Sequence, residues 1–130
     1  MKLNHDCIRA ILLDVEETSS FNQFMRLSEL LNLKRTSAFS DEDVKYSIVK
    51  LKEADYVNVE LTYGSNGLYD IDMGSLTWEG HKFLDNIRDD GIWKDTKGIL
   101  SKFSSTSISI ASDIASSVIT KLVEKQLGLN

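Results

Sequence analysis

The sequence predicts an α+β fold of the winged helix-turn-helix type, with three helices plus a β-hairpin wing and a C-terminal helical extension. Three observations lead there. Val57, Val59, Leu61 and Tyr63 share one parity while Asn58, Glu60 and Thr62 take the other, the period of a half-buried strand. After Gly64-Ser65-Asn66-Gly67, a turn whose glycines accept positive φ, Tyr69, Ile71 and Met73 alternate with Asp70 and Asp72. Three helical patterns precede this hairpin, and a threonine-capped helix follows it. Residues 1–90 are therefore expected to form the winged-helix domain and residues 91–130 the helical extension.

The first helix starts at an Asn4 or Asp6 cap and carries an apolar stripe of Cys7, Ile8, Ile11, Leu12 and Val15. Arg9, Asp14, Glu16 and Glu17 are read as lying largely off that stripe, and Thr18-Ser19-Ser20 as its end. Phe21 to Leu27 fits either a short strand pairing with the wing or a packed connection. Ser28 reads as the cap of a short second helix with Leu30, Leu31 and Leu33 inward. Ser40-Asp41-Glu42-Asp43 opens a third helix, its acids suited to the positive end of the helix dipole, with Val44, Ile48 and Leu51 on one face. Coming directly before the wing, this helix occupies the place of a recognition helix.

Thr77 caps the fourth helix, for which Trp78, Leu84, Ile87 and Phe83 are expected inward and Asp90-Gly91 is expected as the stop. Ile92, Trp93, Thr96, Ile99, Leu100 and Phe103 restart the helical period. Serine and threonine across Ser101 to Ser109 suggest a kink or flexible joint. The last helix runs through Ile110, Ala111, Ile114, Ala115, Val118, Ile119, Leu122 and Val123. Asp113, Lys121, Glu124 and Lys125 interrupt it, so it is too short for a membrane span. A membrane-surface anchor, an oligomerisation helix and a lid all fit the pattern. A polar face of serine rather than Lys or Arg favours a protein surface over lipid, with Ile114, Val118 and Leu122 as the oligomerisation contacts of a homodimer.

Composition bounds the function. A chain of 130 residues with 42% hydrophobic and 27% charged content is the size and character of one globular domain plus a tail. The formal charge of −5 lacks the basic surplus of a dedicated nucleic-acid binder, although a local basic face remains compatible with it. The single Cys7 and the absence of a signal peptide at the start point to the cytoplasm.

Several stretches carry a likeness. Met1-Lys2-Leu3-Asn4 with Asp6-Cys7-Ile8-Arg9, the Tyr46 segment before Leu51-Lys52-Glu53-Ala54-Asp55-Tyr56, and above all the block from Leu76-Thr77-Trp78-Glu79-Gly80 through Asp90 into Ile92-Trp93-Lys94 are the relevant residues. In these the chain resembles a phage and prophage family of uncharacterised proteins, domain of unknown function 2513. The resemblance covers nearly the whole chain and implies a winged-helix-like fold and a home in bacterial mobile elements. It brings no catalytic or binding residues. Family members show histidine after the Tyr46 position, where this chain has Ser47, so no role carries over there. Leu76-Thr77-x-x-Gly80-x-x-Phe83-Leu84 also looks like the strand-to-helix junction after the wing in several bacterial transcription-factor families.

If the third helix enters a groove, its outward residues are Glu42, Tyr46, Val49, Lys50 and Glu53, flanked by Lys45 and Lys52. Lys45, Tyr46, Lys50 and Lys52, with Ser65 and Asn66 of the wing tip, are the candidate DNA-binding residues; two carboxylates on the same face oppose that reading. No Lys or Arg lies between Tyr56 and Gly80. His81 could pair with Asp85 at i,i+4, but no nucleophile accompanies it and it reads as a surface residue. His5 and Cys7 point to different faces of a helix and make a poor metal pair. Trp78, Trp93, Phe83 and Phe103 are read as cementing the fourth and fifth helices to the hairpin rather than as an exposed patch. The acidic series Asp85, Asp89, Asp90 and Asp95 reads as a solvated face. The expectation is a non-enzymatic protein without cofactor or metal. It is read first as a regulator contacting double-stranded DNA, and alternatively as a module binding a phage or host protein through the same frame.

Overall fold

A computed structural model of the chain describes residues 1–103 and 108–128. Within them lie six α-helices and a two-stranded antiparallel hairpin: α1 (His5–Thr18), α2 (Leu27–Leu30), α3 (Asp41–Glu53), β1 (Val57–Gly64), β2 (Gly67–Leu76), α4 (Trp78–Ile87), α5 (Asp90–Leu100) and α6 (Ile108–Gln126). A 3-10 turn at Thr36–Ala38 lies between α2 and α3. The fold is mixed α+β. The chain divides into two compact units, Met1–Lys82 and Phe83–Asn130, with the boundary inside α4. The joint expected across Ser101 to Ser109 falls largely on residues 104–107, outside the described residues.

In the first unit, the Asn4 side chain accepts from the Cys7 N–H at 3.1 Å and starts α1. Cys7, Ile8, Ile11, Leu12 and Val15 are all buried, as the spacing required, against α3 and β2. Ser40 accepts from the Asp43 N–H at 3.1 Å to start α3, whose Val44, Ile48 and Leu51 are fully buried. α3 ends with Asp55 at φ 60, while the Tyr56 N–H reaches Leu51 O and the Asp55 N–H reaches Lys52 O, both at 3.0 Å. This left-handed cap turns the chain straight into β1.

Two expectations shift here. Ser28 does not cap α2: it lies inside a helix that begins one residue earlier. The Arg26 N–H donates to Glu29 at 3.4 Å, and the Leu27 N–H donates to the Asp70 carboxylate of β2 at 3.1 Å. Asp14 is not a surface residue. It is 1% exposed and accepts the Arg35 and Thr36 backbone N–H groups, each at 2.9 Å, and Arg35 Nη1 at 2.8 Å. Thr36 beside it is fully buried, and its hydroxyl donates to Leu30 O. One carboxylate thus satisfies the backbone of the α2–α3 connection, polar groups that are costly to bury unpaired.

β1 and β2 pair from Val57↔Leu76 to Gly64↔Gly67, with irregularities between Val57 and Val59 and between Thr62 and Tyr63. Ser65 and Asn66 form the turn, and Gly67 takes φ 106. Val57, Val59, Ile71, Met73 and Leu76 are buried, but the alternation fades outward: Tyr63 and Tyr69 are 61% and 73% exposed, because the tip extends past the helices that cover the base. Phe21 to Leu27 contributes a single bridge, Met25↔Met73, closed by two 2.8 Å backbone hydrogen bonds.

The Leu76-Thr77-x-x-Gly80 block is a joint. The Thr77 N–H donates to Tyr56 O at 3.1 Å, its hydroxyl donates to Asp55 O at 2.6 Å, and Thr77 Oγ1 accepts the Gly80 N–H at 3.0 Å. A Cβ on Gly80 would lie 2.0 Å from Tyr56 O and 2.9 Å from its carbonyl carbon, so only glycine lets α4 cross that peptide. Trp78, expected inward, is 78% exposed. Nine residues at about 100° each put it half a turn from Ile87. The buried stripe is Gly80, Phe83, Leu84 and Ile87.

In the second unit, Asp90-Gly91 does not stop a helix but opens α5, because the Asp89 side chain accepts the Ile92 N–H at 2.9 Å. α5 buries Trp93, Thr96 and Leu100, and packs against α6, whose Ala111 and Ala115 are fully buried. Asn86 of α4 donates to Ser112 of α6 at 3.2 Å. Of the four aromatic residues expected as cement, Phe83 and Trp93 are buried, whereas Trp78 and Phe103 (57% exposed) are not. Among the described residues no helix is long and apolar enough to cross a membrane.

Candidate functional site

The first unit presents three surfaces: the outward side of α3, the hairpin tip, and a groove beside the base of β2. On α3, Lys45, Tyr46 and Lys50 are half-buried and Lys52 is exposed. The Tyr46 hydroxyl donates to Met1 O at 3.1 Å. Lys50 Nζ pairs with Glu53 at 3.0 Å and lies 5.4 Å from the Tyr46 ring centre. Lys52 Nζ donates to Val59 O of β1 at 2.8 Å. Two of the three lysines are thus held within the molecule, one by a carboxylate and one by a backbone carbonyl. At the tip, Ser65 and Asn66 are exposed. Among the described residues no hydrogen bond or ion pair joins them to the α3 set.

The charge is unevenly divided between the two units. Residues 1–82 hold nine Lys or Arg against fourteen Asp or Glu, a balance of −5. Residues 83–130 hold six of each, so the whole net charge belongs to the hairpin unit. Glu60, Asp70 and Asp72 lie on the hairpin, and Asp41, Glu42 and Asp43 at the start of α3.

Asp70 is the most perturbed of the described acids. Its hydrogen bonds from the Arg26 guanidinium, from the Leu27 N–H and from the Ile71 N–H at 2.8 Å hold its carboxyl well below the usual carboxylate range. A depressed folded-state pKa stabilises the protein above the ordinary value of 3.8, and that contribution is lost as pH falls through the folded-state value. Asp70→Asn is therefore expected to lower the Tm at pH 7. The gap to wild type should narrow below about pH 4 in thermal melts across pH 7 to 2.

The groove runs between residues 19–24 and the base of the hairpin, about 380 Å³ in volume, and is lined by Ser19, Ser20, Phe21, Asn22, Gln23, Phe24, Asn58, Gly74 and Ser75. Phe21 is 93% exposed and Phe24 64%. The Phe24 ring edge would lie 3.4 Å from a Cβ on Gly74, so the glycine makes room for it. Asn22 holds φ 62, a left-handed turn that asparagine tolerates, and separates the two rings. Asn58 donates to Ser75 Oγ at 3.3 Å across the floor. Two solvated rings thus border amides and hydroxyls in one groove. The sequence offered only a weak signal for it: two phenylalanines around Asn-Gln in a segment with neither helical nor alternating period.

The remaining expected sites separate. His81 Nδ1 lies 3.7 Å from Glu16 of α1, beyond hydrogen-bonding reach. Burial pushes the Cys7 thiol up, partly offset by the Ser47 hydroxyl beside it. Among the described residues no group of three or more His, Cys, Asp or Glu is placed to hold a metal ion. In the second unit, Ile114 and Val118 are half-buried and Leu122 is 45% exposed, all on one side of α6.

The model of a family described as "Hypothetical protein (DUF2513)" matches residues 2–107. An uncharacterized protein of Haemophilus influenzae is 30% identical over 124 residues, which cover 95% of this chain and 99% of that relative. No solved structure matches the chain.

Proposed function

The chain belongs to the family described as hypothetical protein DUF2513, and from that premise we propose a non-enzymatic cytoplasmic protein that uses a winged-helix frame to bind a phage or host protein. The frame is supported by the order of elements in the first unit: α1, the Met25 bridge, α2, α3 and then the hairpin, with Met25 pairing to the second hairpin strand.

One observation favours a protein over DNA as the partner: the whole excess of negative charge lies on the unit that would have to approach phosphates. The groove at Phe21 and Phe24 supplies the exposed aromatic surface typical of protein contacts. DNA contact through Lys45, Tyr46, Lys50, Lys52, Ser65 and Asn66 is the second reading, favoured by the position of α3 directly before the hairpin.

Anisotropy titration of a labelled duplex separates the two readings. The protein-binding reading expects a Kd weaker than about 10⁻⁴ M at physiological salt. Tighter binding that falls steeply between about 50 and 200 mM salt, and falls again in Lys45→Glu, establishes the DNA reading instead.

A further inference from the structure

We propose that a second copy of this chain docks on the α5–α6 pair of the second unit, with the two α6 helices antiparallel and the two-fold axis passing beside Ser117. The surface is an apolar trough. Ile99 of α5 and Ile110, Ile114, Val118 and Leu122 of α6 line two adjoining hollows of about 310 and 630 Å³, the larger edged also by Lys94, Asp95 and Lys125. Ile99, Ile110 and Leu122 are 36%, 42% and 45% exposed, whereas Ala111 and Ala115 of α6 are already fully buried within the unit. The trough therefore lies beside the face that α6 uses for its own unit. A helix of 19 residues is about 28 Å long, enough for an extended helix–helix seam.

The occupant is identified by charge. Asp113, Ser117 and Lys121 follow one another at i, i+4 and i+8 along the rim of the first hollow, an acid, a small neutral residue and a base. A two-fold axis at Ser117 sets Asp113 of each copy opposite Lys121 of the other, forming two ion pairs from a single patch. This is the self-complementarity that an isologous interface demands. Ile114 and Val118 then straddle the axis. The six positive and six negative residues of 83–130 impose no net repulsion between copies, in contrast to the acidic first unit. Off the trough, the exposed Ser116 and Thr120 give α6 a neutral polar side in place of the Lys and Arg row that a lipid surface would select.

Sedimentation velocity on the full chain at tens of micromolar, with circular dichroism to verify equal helix content, tests this. Wild type is expected to be a dimer. Asp113→Lys and Lys121→Asp should each weaken it about tenfold or more by opposing like charges twice. The double swap, which restores both pairs with their signs exchanged, should recover the dimer. A monomeric wild type overturns the proposal, whether it is free in solution or bound to anionic vesicles. Single variants that dimerise like wild type, or a double swap that fails to recover the dimer, overturn it equally.

Discussion

Gly80→Ala is expected to destabilise the first unit by about 3 kcal/mol, the upper range for inserting a methyl where there is no room for it. The new Cβ would stand 2.0 Å from Tyr56 O, a backbone atom that cannot rotate away. Relief means moving α4 off the strand entry, which breaks the Thr77 N–H bond to Tyr56 O and the Thr77 hydroxyl bond to Asp55 O. The gain of about 1 kcal/mol that alanine normally brings to a helix interior works in the opposite direction and is outweighed. Urea unfolding with thermal melts measures the loss, expected as a fall in Tm of roughly 10 °C or more. Gly98→Ala is the control for packing within one copy, measured under dilute conditions because Gly98 lines the α5–α6 trough: its Cβ meets nothing within 4 Å, so stability should hold or rise.

Asp14→Ala should cost still more, about 3–5 kcal/mol, because it strips the acceptor from two backbone N–H groups and from a guanidinium at once. The Asp14 side chain is 2% exposed and Thr36 is fully buried, so water cannot replace the lost bonds without opening the α2–α3 connection. Asp14→Asn, which retains one acceptor oxygen, should fall between wild type and alanine. Equilibrium denaturation of the three proteins gives the order, and an Asp14→Ala protein as stable as wild type would show that the carboxylate is dispensable. Against an ordinary total of about 5–15 kcal/mol, the expected loss is large enough to leave some of the chain unfolded at growth temperature.

Much of the first unit was legible because its signals are local. The Asn4 and Ser40 caps, the α1 and α3 stripes and the alternation at the base of the hairpin depend on residues within one or two turns of each other. What escaped was set by contacts far apart in sequence. Asp14 lies seven residues from Cys7, hence on the buried side of α1, but its charge argued for the surface until Arg35 and Thr36 came into view. Trp78 was drawn inward by its hydrophobicity, although helical rotation sets it opposite Ile87. Gly80 stood in a recognisable block of residues, while the reason for it, the carbonyl of Tyr56, belongs to a segment 24 residues earlier. The candidate groove was hidden for the same reason: Phe21 and Phe24 gain their setting from Asn58, Gly74 and Ser75 of the hairpin. The lysines of α3 were easy to find in the sequence, but their engagement by Glu53 and by Val59 O was not.

The partner class is read most directly by a photoreactive benzophenone amino acid at Phe21 of the full chain, irradiated in living cells that express it. The expected result is a discrete protein adduct, lost in Phe24→Ala and absent when the probe stands at exposed Lys34 on the α2–α3 connection. An adduct that nuclease removes, or none at all, would contradict a protein-binding role for this groove.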